Sequence, residues 1–236
     1  MPKTFLRRCK AFLLDIFFPN RCPFCNEIIK WDKSVCNDCG NKLIDANEKI
    51  CHKCGNVNCE CSENYHFDSV YASLFFDDEN VSSAIYDFKH TGMSNIATYT
   101  AEQLMKYNLE LNADMVTGVP MGKYKQQMRG HNQADILAKC VGEYLNIPFK
   151  DNLLYKLDTK EEQHLLSAEQ RKEHVKELFH GSDTNLDNKT IILCDDVMTT
   201  GATLNTCSEI LKDMGADKVI ICVCAVTRAD KSQEEG

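Results

Sequence analysis

The sequence predicts an α/β protein, a mostly parallel sheet flanked by helices with a small metal-binding module in front of it. Three observations carry that expectation. From residue 67 onward, apolar strand-like runs alternate with segments of helical periodicity, the pattern of parallel strands joined by helical crossovers. Eight of the fourteen cysteines crowd into close pairs between Cys22 and Cys61. The buried-type run Ile191 to Cys194 leads straight into two adjacent carboxylates and a TTGAT turn.

The elements follow in order. Residues 1–19 are basic and then apolar. Asp15 interrupts the apolar run and no small-residue cleavage site follows, so the expectation is a short amphipathic helix stopped by Pro19, not a secretory signal. No segment reaches transmembrane length, which predicts a soluble protein without stable membrane insertion. Residues 20–64 hold the cysteine pairs and few large apolar side chains, so a metal must supply their folding energy. Residues 65–230 form the second domain. VYASLFF reads as a strand, SSAIYDFKHTG and NIATYTAEQLMKYNLE as helices, and MVTGVP as a strand stopped by Pro120. MGKYKQQMRGHN reads as a polar basic loop and QADILAKCVGEYLN as a helix. Residues 156–180 are charged and poor in apolar side chains, the composition of a mobile excursion. Strand KTIILCDDV, turn MTTGAT, helix LNTCSEILKDMGA and strand DKVIICVCAV close the chain. A net charge of −8 supplies no general field for wrapping nucleic acid, so any such contact must be local.

Cys22-x₂-Cys25 and Cys36-x₂-Cys39 offer four thiolates at the reach of one tetrahedral Zn²⁺, and Cys51, Cys54, Cys59 and Cys61 offer a second quartet. Spacing leaves open whether the two sets interleave, or whether one zinc is held with thiols to spare. Four thiolates close the coordination shell, which makes the site structural, and paired CxxC knuckles suit zinc better than an iron–sulfur cluster. Paired thiols of this kind belong in a reducing compartment, so the cytoplasm is expected.

At the end of a parallel strand, the following helix presents backbone N–H groups and the positive end of its dipole, which suits a phosphate. In DDVMTTGAT, Gly201 permits close approach of the backbone, and Thr199, Thr200 and Thr203 add hydroxyl donors. Asp195 and Asp196 would repel that anion unless they serve neutral hydroxyls or a cation. A second anion-suited stretch, GVPMGKYKQQMRGHNQ, brings Lys123, Lys125, Arg129 and His131 around two glycines.

IILCDDVMTTGAT resembles, at every position, the signature of type I phosphoribosyltransferases that binds 5-phosphoribosyl-1-pyrophosphate (PRPP). The resemblance implies that Asp195 and Asp196 hold the ribose hydroxyls. It gives the turn through Val197, Met198, Thr199, Thr200, Gly201, Ala202 and Thr203 to the 5-phosphate, with Mg²⁺ accompanying PRPP. Pro120, Met121, Gly122 and Lys123, with Arg129, take the place of the pyrophosphate loop. RGHNQA resembles the RGFNQA segment of the ComF family of competence proteins, with His131 in place of the usual Phe. FP before the first CxxC, DFKHTG around Lys89, and the pattern Thr159, Gln163, Leu166, Arg171 and Phe179 agree with it, while Lys156 and His174 stand where family members tend to have Arg and Asn. The candidate catalytic groups are Asp195, Asp196 and Arg171, the last set against the leaving pyrophosphate. Membership implies natural transformation, with single-stranded DNA, a competence helicase and other DNA-uptake proteins as partners. Two functions stay open at this point: a non-catalytic PRPP-binding protein whose zinc module docks DNA or a partner, and an active phosphoribosyltransferase with an unidentified acceptor.

Overall fold

The computed structural model describes residues 17–57, 59, 61, 64–106, 112–158 and 178–228. Strands β1 (Ser69–Phe75), β2 (Met115–Gly118), β5 (Thr190–Met198) and β6 (Lys218–Val226) form one sheet in the order β1-β6-β5-β2, every neighbouring pair parallel. A short antiparallel pair, β3 (Leu154–Lys156) and β4 (Phe179–Gly181), stands apart. The helices are α1 (Asn37–Lys42), α2 (Glu79–Thr91), α3 (Asn95–Lys106), α4 (Lys123–Arg129), α5 (Gln133–Leu145) and α6 (Ala202–Asp213).

The central strands are apolar throughout because both faces of the sheet are covered. Along β5, Ile191 and Leu193 point into a core shared with α6 and the β3–β4 pair. Ile192 and Cys194 point into the opposite core, beneath α2, α3 and α5. Buried Cys194, Cys222 and Cys224 serve as small apolar side chains there and Cys207 in the core under α6, and burial pushes the thiols of Cys194, Cys207 and Cys224 up. Helix α2 begins where the Asp78 carboxylate accepts from the Asn80 and Val81 amides, and stops at Gly92, φ 68°. At the end of β2, a Cβ on Gly118 would come 2.7 Å from the Ala134 backbone; glycine there lets the strand approach α5.

One expectation is corrected. The basic stretch after Pro120 is not a loop throughout, since Lys123–Arg129 is helical, entered at Gly122 and left at Gly130 with φ 77°. Its residues are good helix formers, but none is buried, so no apolar period marked it in the sequence.

The cysteine-rich stretch does not stand apart from the sheet. Asn95 Nδ2 donates to Asn20 Oδ1 and to the Arg21 carbonyl, both at 2.7 Å, and Phe24 meets Tyr99 edge-on at 6.0 Å. Further along, the Val70 amide donates to the His52 carbonyl at 2.7 Å and the Ala72 amide to Asn47 Oδ1 at 2.9 Å. Ala46 and Ile50 join the core beside Val70 and Met198. Residues 46–57 thus cover the outer edge of β1. Among the described residues no helix is long and apolar enough to cross a membrane.

Candidate active-site cleft and zinc sites

The eight paired thiols sort by chain order: the Sγ atoms of Cys22, Cys25, Cys36 and Cys39 lie within 4.8 Å of one another, and so do those of Cys51, Cys54, Cys59 and Cys61. The sets do not interleave. Four sulfurs around one Zn²⁺ at about 2.3 Å fit such clusters, and the shell leaves no position for substrate. Backbone turns pre-shape each knuckle: the Cys39 amide donates to Cys36 Sγ and the Lys53 amide to Cys51 Sγ. His52 is turned away, its Nδ1 3.0 Å from the Val70 carbonyl.

A cleft of about 220 Å³ opens at the C-terminal edge of the sheet, where open α/β folds bind ligands. Asp195 and Asp196 at the end of β5 form its floor. Val119, Pro120, Met121 and Gly122 beyond β2 form one wall, Thr203 of α6 reaches it from below, and Lys125, Arg129, Lys156 and Lys89 bring positive charge. Burial and the neighbouring Asp196 carboxylate push Asp195 up to about 8, although the Asp196 amide donates to its Oδ1 at 2.8 Å. Lys89 Nζ meets Asp196 Oδ2 at 3.1 Å. Lys156 is pushed down by burial and then by Lys125, and its ammonium lies 4.6 Å over the Phe179 ring. The Tyr124 amide, at the start of α4, donates to the Asp158 carboxylate, with Oδ2 at 3.3 Å.

The structure brings Asp195, Asp196, Pro120, Met121, Gly122, Arg129 and Thr203 into one cleft. Val197 and Met198 at the end of β5, Thr199, Thr200 and Gly201 of the turn, and Ala202 at the start of α6 adjoin the cleft and are not part of its lining; Thr199 and Thr200 are exposed and Met198 is buried under the turn. Gly201 has φ 74°, and a Cβ there would approach Met198 Cε to 2.7 Å. Because Cε is the free end of a flexible chain, backbone strain dominates, and Gly201→Ala is expected to cost about 1–2 kcal/mol in chemical denaturation. Lys123 lies outside the lining and Lys125 inside it, as helical phase requires: Lys125 and Arg129 are four residues apart and share a face. Arg171, with Thr159, Gln163, Leu166 and His174, lies outside the described residues, as does most of the expected helix in residues 1–19. Lys89, Asn132, Gln133 and Lys156 line the cleft although the motifs gave them no binding role. The one signal for Lys89 was its place in DFKHTG.

Residues 129–236 match the model of the phosphoribosyl transferase domain, and residues 13–68 that of the double zinc ribbon domain. With the sheet and the two thiolate quartets, these matches define the class: a type I phosphoribosyltransferase-like fold behind a double zinc ribbon, whose cysteine clusters are structural zinc sites. Its homologues are competence and DNA-utilization proteins. The chain is 32% identical over 108 residues to Competence protein F of Haemophilus influenzae, covering 45% of this chain and 47% of that protein. It is 26% identical over 152 residues to DNA utilization protein YhgH of Escherichia coli, covering 61% and 66%, and 29% identical over 97 residues to Competence protein ComFC of Bacillus subtilis, covering 41% and 38%. The alignments thus span about half the length of Competence protein F and under two thirds of the other two. Among solved structures, the glutamine PRPP amidotransferase of B. subtilis overlaps with a TM-score of 0.40 at 19% identity, over 57% of this chain and 26% of that one.

Proposed function

We propose that the cleft binds PRPP together with Mg²⁺, and that the protein acts in the cytoplasm in natural transformation, on incoming single-stranded DNA. The observation that carries the reading is the division of charge: two carboxylates on the floor, with Lys125, Arg129 and Lys156 along the sides. An anion cannot rest on the floor, but neutral hydroxyls can. The ribose diol therefore falls to Asp195 and Asp196, the 5-phosphate to the turn through Thr199, Gly201 and Thr203 at the start of α6, and the pyrophosphate to Pro120–Lys123 and Arg129. Mg²⁺ supplies countercharge to the pyrophosphate. The names of the relatives support the DNA role, with a helicase and other uptake proteins as partners, and Lys30, Lys33, Lys42, Lys49 and Lys53 of the ribbons are the cations available for it.

Calorimetric titration of PRPP and Mg²⁺ into the full chain tests the first half, with saturable binding expected. Heats no larger than dilution would sink it. Binding of single-stranded DNA across a salt series tests the second half, where affinity should fall steeply with salt. Pyrophosphate release in the presence of an acceptor would extend the reading to an active transferase.

A further inference from the structure

Lys89 belongs to neither the turn nor the basic stretch, yet it holds the Asp196 carboxylate. Three consecutive residues set it there. Gln133 Nε2 donates to the Lys89 carbonyl at 2.9 Å, and His131 Nε2 lies 3.4 Å from the Phe88 carbonyl. Asn132 Nδ2 donates to the Val119 carbonyl at 3.0 Å while its Oδ1 accepts from the Ala134 amide, starting α5. Asn132 is 8% exposed and Gln133 2%, so these are buried amides whose loss leaves polar partners unpaired. A Cβ on Gly92, just past the end of α2, would come 3.1 Å from the His131 ring, so the last turn of α2 sits directly on this segment.

We infer that Lys89 is a positioning residue for the carboxylate pair, and that residues 131–133 form a strap holding it in register with the wall after β2. The inference rests on the phosphoribosyl reading of the cleft. Its physical basis is the ligand's own rigidity: the diol and the pyrophosphate sit on one ribose ring, so the groups that receive them must keep a fixed spacing. The strap ties the Val119 end of one wall to the Lys89 end of the floor through adjacent side chains. Lys89 in turn fixes Asp196 and offsets the repulsion between the two carboxylates. The other titratable groups facing the pair are Cys194 of β5, Lys156 of β3, Cys207 of α6 and Cys224 of β6, with Lys125 and Arg129 of α4 in the same cleft.

The test is calorimetric titration of Mg²⁺ and PRPP into the full chain and its variants from pH 6.5 to 9, with thermal melts alongside. Lys89→Met is expected to weaken binding about tenfold at pH 7 and to recover part of the loss as pH rises, because without the ammonium Asp195 keeps its proton longer. Lys89→Arg should stay within about threefold of wild type, and Gln133→Leu should fall between the two. A merely structural lysine would lower the melting temperature in Met and Arg variants alike, with no change in the pH profile. Lys89→Met binding like wild type at every pH, or Lys89→Arg as impaired as Lys89→Met, overturns the inference. Wild-type protein that binds no PRPP overturns the phosphoribosyl reading, and the inference with it.

Discussion

Purified protein is expected to carry two zinc ions per chain, and stripping them is expected to unfold more than the ribbons. A structural zinc contributes on the order of 10 kcal/mol of apparent folding energy in isolated ribbons, comparable to the whole stability of a domain. Composition alone suggests that this loss stays within residues 20–64. The packing says otherwise for the second ribbon: Ala46 and Ile50 lie in the main core, the Val70 amide bonds to His52, and a Cβ on Gly55 would touch Met198 Sδ at 3.2 Å. Cys54→Ser should therefore lower the melting temperature of the whole chain and also weaken PRPP, because Met198 lies under the turn at Gly201. Cys25→Ser, in the first ribbon, should spare the cleft, since that ribbon rests on α3 through Phe24, Ser34 and Asn20. Elemental analysis, melts followed by circular dichroism and calorimetry of both variants decide it. A chain without zinc, or a Cys54→Ser variant whose cleft binds PRPP normally, would refute this account.

The sheet was legible because buried parallel strands are continuous apolar runs, and Ile191 to Cys194 and Val219 to Val226 are such runs. The two quartets were legible as ligands because structural zinc takes four ligands and closely paired cysteines supply them, but their assignment to separate sites was not, since spacing constrains pairs and not the path between them. Helix α4 escaped because an exposed polar helix has no period to read. Once it is a helix, the equal standing of its cations ends, and Lys125 replaces Lys123 in the cleft. Lys89 could not be derived from its neighbours. It reaches Asp196 only because α2 is fastened to residues more than forty positions away, and such contacts leave no local pattern. The same holds for the ribbon contacts, where Asn20 meets Asn95 across 75 residues.

At pH 9, above the point where Asp195 loses its proton, replacing Asp195 and Asp196 together by Asn is expected to weaken PRPP tenfold to a hundredfold while making the protein more stable. Each carboxylate–hydroxyl hydrogen bond lost is worth about 1.5–3 kcal/mol against a weaker neutral bond in its place, which bounds the loss of affinity. The gain in stability comes from Asp195. Its carboxyl ordinarily titrates near 3.8 but holds its proton to about 8 in the fold, because burial and Asp196 penalise the charged form. The folded state then binds more protons than the unfolded state between those values, so stability falls as pH rises from about 4 to about 8. At about 1.4 kcal/mol per unit over roughly four units, the penalty reaches at most about 6 kcal/mol above pH 8. Asn carries no such penalty, so Asp195→Asn should gain most in melting temperature at pH 8 to 9 and least near pH 4. The opposite sign, a variant less stable at pH 8 than wild type, would mean that Asp195 is held by favourable bonds and is no reservoir of strain. A stable double variant that binds PRPP as wild type does would take the ribose away from these carboxylates altogether. Loss of affinity with a gain in stability is the signature of a site kept for its ligand at the expense of the fold.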